Sequence, residues 1–66
     1  MQIRDLTQTE ADYLETVCNF TKDESALFNL RLKDTSLELC AEIMQRSVDS
    51  VKQLSRKVNA KISREL

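Results

Sequence analysis

The sequence predicts an all-α domain of four helices without a sheet, and both its composition and its patterning support this prediction. The 66 residues include no Gly and no Pro, and aromatic residues make up only 5%. Strong helix formers such as Leu, Glu, Lys, Ala and Arg are frequent, which favours helices over strands. Without Gly for hairpin turns, and without alternating runs of β-branched residues, a sheet has no recognisable strand boundaries.

The N-terminal half of the chain predicts two helices, at about residues 8–18 and 22–33. Each is expected to begin at a capping box, in which a Thr is followed three residues later by a Glu. The two pairs are Thr7 with Glu10 and Thr21 with Glu24. Apolar residues nearly encircle the second helix, which indicates that it packs against neighbours on two sides.

The C-terminal half predicts a short helix at about residues 36–45 and a long helix at about 48–64. Apolar residues recur at helical spacing in both. They are Leu37, Cys40, Ala41 and Met44 in the third helix, and Val51, Leu54, Val58, Ile62 and Leu66 in the fourth. A linker of only about three residues favours a steep crossing of the two helices, as in a helix-turn-helix, over an up-down bundle.

The length fits a single domain, residues 1–66, with a small core and marginal stability. Cys18 and Cys40 are the only soft ligands and the chain has no His, so we expect neither a metal nor another cofactor. Cys40 fits the apolar period of the third helix and is expected to be buried. Because His, a Gly-rich phosphate loop and a desolvated carboxylate pair are all missing, we expect no enzyme and no small-molecule substrate.

Targeting signals are not recognisable in the sequence. The first residues form no apolar run of signal-peptide length, and no stretch approaches the roughly 20 apolar residues of a membrane span. Unpaired cysteines are typical of reducing compartments. We therefore expect a cytoplasmic protein without a membrane partner.

The charges are segregated along the chain, although the net charge is only −1. Residues 46–66 carry six basic and two acidic side chains, a net charge of +4. Residues 1–45 carry four basic and nine acidic side chains, a net charge of −5. A basic segment on an acidic body is typical of a protein that binds DNA in one orientation. A solvated C-terminal helix without a partner is the simpler alternative.

The stretch SLELCAEIMQRSVDSVKQLSRKVNAKI, residues 36–62, resembles the helix-turn-helix of LuxR-type regulators and of region 4 of sigma factors. Those families have an aliphatic-Ala pair, a further aliphatic residue, and then the motif S-x-x-[ST]-V-K. The matching residues here are Cys40, Ala41, Met44, Ser47, Ser50, Val51 and Lys52. Upstream, residues 13–14, 19–21 and 27–31 are also similar to small sigma-region-4-like proteins of phages and mobile elements in Gram-positive bacteria.

Two positions in the predicted turn depart from these families. Gln45 stands where many relatives have Gly or Asn, and Arg46 stands where an apolar residue usually fills the core. Either the turn is distorted or Val48 takes the place of that apolar residue.

The resemblance implies a transcriptional regulator that binds double-stranded DNA and reads the major groove with the helix starting at Ser47. The face opposite the apolar stripe and the N-terminal end of this helix supply the predicted base-reading residues: Ser47, Val48, Asp49, Lys52, Gln53 and Arg56. Predicted phosphate contacts come from the sides of the helix and from the start of the third helix: Thr35, Ser36, Arg46, Ser50, Lys57 and Lys61. The alternative is a sigma-like interaction module whose basic face binds RNA polymerase or a sigma factor.

Spare apolar residues also suggest a homodimer. LuxR-type domains pair through their last helix, so the resemblance implies a two-fold interface, here assigned to Val58, Ile62 and Leu66. A second apolar row, Leu39 and Ile43 with Phe28 and Leu32, has to be covered by the first helix or by another subunit.

Overall fold

The computed structural model describes residues 3–65, apart from the side chain of Arg4, and this part of the chain is helical without a strand. A 3₁₀ helix at Ile3–Asp5 precedes four α-helices. They are α1 (Gln8–Val17), α2 (Lys22–Leu32), α3 (Leu37–Met44) and α4 (Val48–Glu65). The all-α prediction is confirmed, and each predicted helix end lies within one residue of the observed end.

The helices begin where side chains satisfy their first free N–H groups. Both capping boxes form: the Thr7 hydroxyl accepts from the Glu10 N–H at 3.2 Å, and the Glu10 carboxylate accepts from the Thr7 N–H at 2.9 Å. Thr21 and Glu24 make the same pair of bonds at 3.3 and 2.9 Å. Ser36 and Ser47 cap α3 and α4 with single bonds, to the N–H groups of Leu39 and Ser50.

The turns after α2 and α3 have left-handed residues, although the chain contains no Gly. Asp34 has φ 60° and Gln45 has φ 58°. In each turn the next N–H reaches back five residues to a helix carbonyl, from Thr35 to Leu30 at 3.2 Å and from Arg46 to Ala41 at 2.9 Å. This is the Schellman pattern of helix ends, in which the left-handed position is usually Gly or Asn. The turn between α3 and α4 is therefore regular with Gln45 in it.

The core lies around α4, which packs against α2 and α3 and also contacts α1. Phe28 at its centre has no exposed surface, and its ring lies 5.0 Å from that of Phe20. The other buried apolar residues come from all four α-helices: Ala11, Leu14, Cys18, Leu27, Cys40, Ala41, Val51, Val58 and Ile62. Val48 is half-buried and packs against this core, whereas Arg46 is exposed.

The dimer interface predicted on the last helix is wrong for two of its three residues. Val58 is 1% exposed and Ile62 is 4% exposed, so both lie inside a single chain. The stripe on α4 faces the other helices because α4 is the central helix, so Val58 and Ile62 are covered within one chain and leave no surface for a partner. Leu66, the third residue, lies outside the described residues.

The second apolar row divides between the core and the surface. Phe28 is fully buried and Leu32 is half-buried, but Leu39 is 47% exposed and Ile43 is 55% exposed. Neither α1 nor any other described part of the chain covers these two side chains.

Replacing Ala41 by Leu should destabilise the fold, because Ala41 is buried in α3, which packs against α4. Added methyl groups in a close-packed contact cost about 1 to 3 kcal/mol. Thermal unfolding followed by circular dichroism measures the effect. A melting temperature within a degree or two of the parent would show that the α3–α4 contact has room at this position.

Candidate nucleic-acid interface

The outward face of α4 carries most of the predicted base-reading residues. Val51 and Val58 are buried and Leu54 is half-buried, so this apolar stripe sets the rotation of the helix. At about 100° per residue, the side chains on the opposite face point to solvent. Within residues 48–57, the exposed side chains are Asp49, Lys52, Gln53, Arg56 and Lys57.

This face is basic, and no described acidic residue forms an ion pair with it. Lys52, Arg56 and Lys57 form no ion pair with any described residue. Asp49 is the only acidic residue among the five exposed side chains named above. Unpaired ammonium and guanidinium groups on one helix face attract an anion without first breaking an internal ion pair. The arrangement suits a polyanion that lies along the helix.

The N-terminal ends of α3 and α4 carry further predicted contacts. Ser47 is exposed, while Val48 and Ser50 are half-buried beside the core. At the start of α3, Ser36 is exposed and Thr35 is half-buried. The Thr35 carbonyl accepts a 2.6 Å hydrogen bond from the Arg31 guanidinium, so the loop that leads into α3 is held by α2.

Arg46 is exposed and paired with a carboxylate. Its guanidinium bonds the Asp23 carboxylate at the start of α2. A phosphate contact from Arg46 would compete with this ion pair.

Lys61 does not join the exposed basic face, although the sequence placed it among the phosphate contacts. Its ammonium group lies 2.5 Å from the Glu24 carboxylate and 3.5 Å from the Asn19 carbonyl. Lys61 precedes the buried Ile62, so its side chain leaves α4 beside the start of α2. Lys61 therefore belongs to an ion pair that links α4 to α2.

The burial and the ion pair of Glu24 could not be predicted from the sequence. It is 3% exposed, and its carboxylate accepts from both the Lys61 ammonium and the Thr21 N–H. The hydrogen bond from Lys61, followed by that from the Thr21 backbone, holds the pKa of Glu24 below its usual value. The capping box identifies Glu24 as a helix-capping residue. Its ion-pair partner Lys61 lies 37 residues further along the chain, and no local sequence pattern indicates that contact.

The two cysteines are buried free thiols. Burial raises the pKa of both Cys18 and Cys40, so both are held as thiols at neutral pH. The Cys18 sulfur lies 3.6 Å from the Lys61 carbonyl and contacts the core. Among the described residues, no group of three His, Cys, Asp or Glu side chains could hold a metal ion.

An open groove of about 460 Å³ lies between α2 and α3, on a different surface from the base-reading face of α4. Its apolar wall includes Ala26, Leu30, Ile43 and Met44. Lys22, Lys33 and the Arg46–Asp23 ion pair stand around its rim.

The fold and the site define a small all-helical protein with one exposed basic helix face. None of the helices in residues 3–65 is long and apolar enough to cross a membrane. Comparison with models of known protein families, with curated proteins and with solved structures finds no match to this chain.

Proposed function

We propose that this protein is a helix-turn-helix transcriptional regulator that binds double-stranded DNA and reads the major groove with α4. The observation that carries the proposal is the exposed face of α4, where Lys52, Arg56 and Lys57 stand around Gln53 and form no ion pair with a described residue. Support also comes from the short turn between α3 and α4, whose left-handed Gln45 matches the position of Gly or Asn in helix-turn-helix proteins.

Four of the exposed side chains on this face each have a base edge that they suit. An amide such as Gln53 pairs with adenine through two hydrogen bonds, and Arg56 or Lys52 donates to the two acceptors of guanine. Asp49 accepts from the amino group of cytosine. At the N-terminal end, Val48 contacts a thymine methyl group and Ser47 lies at the groove floor.

Phosphate contacts position the helix and carry no sequence information. Lys57 and Ser50 flank the base-reading residues on α4, and Thr35 and Ser36 lead into α3. The N–H groups at the start of a helix, together with its dipole, favour an anion such as a phosphate. The acidic N-terminal part of the chain repels DNA, so the protein approaches with its basic face first.

Substitutions on α4 test whether the face reads bases or is merely basic. Gln53→Ala or Arg56→Ala should weaken binding to the preferred site by about 1 to 3 kcal/mol and relax the preference at one or two base positions. Lys57→Ala should weaken binding to all DNA sequences about equally. It should also lower the slope of log affinity against log salt concentration by about one released ion. Selection from a random DNA pool identifies the site, and titrations at several salt concentrations measure the effects.

Arg64→Ala is the matched control, because Arg64 is an exposed cation eight residues, or about 12 Å, beyond Arg56 on α4. It should change specific binding little. Equal weakening on specific and random DNA by all the substitutions, with every variant folded, would remove Gln53 and Arg56 as base readers. A parent without salt-dependent DNA affinity would contradict the proposal and leave two alternatives, a module that binds RNA polymerase or a sigma factor and a solvated helix without a partner.

A further inference from the structure

Two large apolar side chains on α3 are exposed and form a ridge. Leu39 is 47% exposed and Ile43 is 55% exposed, one turn apart, while Cys40 and Ala41 on the opposite side of the helix are buried. We call Leu39 and Ile43 the α3 ridge. Contiguous apolar surface with a polar rim is typical of the centre of a protein–protein interface.

The two flanks of the α3 ridge carry opposite charges. On one side lies the groove between α2 and α3, with Lys22 and Lys33 on its rim, and neither lysine forms an ion pair with a described residue. On the other side stand Glu38 and Glu42, one turn apart and both exposed. The helical period places these carboxylates about 100° round α3 from the ridge residues that follow them, away from the groove.

We propose that the α3 ridge is the interface of a homodimer, with a second copy of this chain as its occupant. A two-fold axis that runs roughly along α3 brings the ridges of the two copies together. The same rotation exchanges the flanks, so that Glu38 and Glu42 of each copy face Lys22 and Lys33 of the other. A two-fold interface must be self-complementary, and this surface contains both members of each charge pair.

Charge complementarity selects a second copy over an unrelated partner. An acidic partner would satisfy the lysine rim but would meet Glu38 and Glu42 with like charge, and a basic partner would have the reverse conflict. A fitting partner needs an acidic flank opposite the lysines and a basic flank opposite the glutamates. A second copy of this chain has both. The interface also adds buried apolar surface to a domain too short to bury much of its own. The inference does not depend on DNA binding.

Sedimentation of the full chain without DNA tests the ridge. The parent should dimerise with a dissociation constant of about 10 to 100 µM, typical of a small interface. Ile43→Asp should raise that constant at least about tenfold, because a charge would enter the apolar centre of the interface. Tyr13→Asp is the matched control, since Tyr13 is 54% exposed on α1, and it should leave the dimer intact.

Exchange of the charged flanks tests the arrangement itself. The variant with Glu38→Lys and Glu42→Lys has basic residues on both flanks, and the variant with Lys22→Glu and Lys33→Glu has acidic residues on both. Each alone should be monomeric, and an equimolar mixture should form a heterodimer that weakens with added salt. Circular dichroism verifies that each variant is folded.

A parent that remains monomeric at about 500 µM would overturn the inference, because the apparent affinity would be below that of a specific contact. A dimer that survives Ile43→Asp would also overturn it. So would a dimer in which the two charge variants fail to associate when mixed.

Discussion

Replacing Lys61 by Met should destabilise the protein by about 3 kcal/mol, because it leaves the buried Glu24 carboxylate without its cation. Removal of one partner from a buried ion pair costs about 3 to 5 kcal/mol. The lower end is expected here, since the Thr21 N–H still donates to the carboxylate and the Lys61 side chain is partly exposed. The total stability of a domain of this length is only about 3 to 10 kcal/mol, so urea unfolding should show a large loss.

The same variant should change how stability depends on pH. The folded pKa of Glu24 is lowered by its bond to Lys61, so the ionised carboxylate stabilises the fold at neutral pH. That contribution is present above the ordinary pKa of Glu and is lost as the pH falls below about 4.3 towards the folded value. The difference in the free energy of unfolding between the parent and Lys61→Met should therefore become smaller from pH 7 to about pH 3.

Lys57→Met is the matched control for both measurements, because Lys57 is an exposed cation on the same helix and pairs with no residue in the part of the chain that the structure describes. Surface substitutions of this kind change stability by about 0.5 kcal/mol or less. If Lys61→Met and Lys57→Met unfold at the same urea concentration, the ion pair with Glu24 adds nothing to the fold. A constant gap across the pH range would show that ionisation of Glu24 is not involved.

Replacing Phe28 by Ala should unfold most of the protein. Phe28 has no exposed surface, and its ring packs against Phe20 at 5.0 Å. A buried Phe replaced by Ala costs about 3 to 5 kcal/mol through lost burial and the cavity left behind. Because this approaches the whole stability of such a small domain, the helical circular dichroism signal should fall and the melting transition should broaden or vanish.

Tyr13→Ala is the comparison for Phe28, because it removes an aromatic ring that is 54% exposed. It should lower the melting temperature by only a few degrees. A Phe28→Ala protein that melts as cooperatively as the parent would show that the core is not centred on this ring. Phe28→Leu should recover most of the stability, since it restores most of the buried volume.

The amino-acid sequence by itself determined the helices and their ends. Capping boxes, Ser caps and apolar periods act over three to seven residues, so a local reading identifies them, and Thr7–Glu10 and Thr21–Glu24 form as predicted. The rotation of α4 about its axis can also be predicted from nearby residues, because the stripe of Val51, Val58 and Ile62 defines its inner face. The exposed face with Gln53 and Arg56 follows from that rotation.

The tertiary structure alone decided which apolar and charged residues meet. The stripe on α4 is visible in the sequence, but the number of helices that cover it is not, so the sequence predicts a partner for Val58 and Ile62 although the other helices bury both. The sequence predicts a phosphate contact for Lys61, yet Lys61 neutralises Glu24 from another helix. These contacts join residues that are far apart along the chain, and the packing of whole helices brings them together. For the same reason only the packed fold shows that Ile43 remains uncovered.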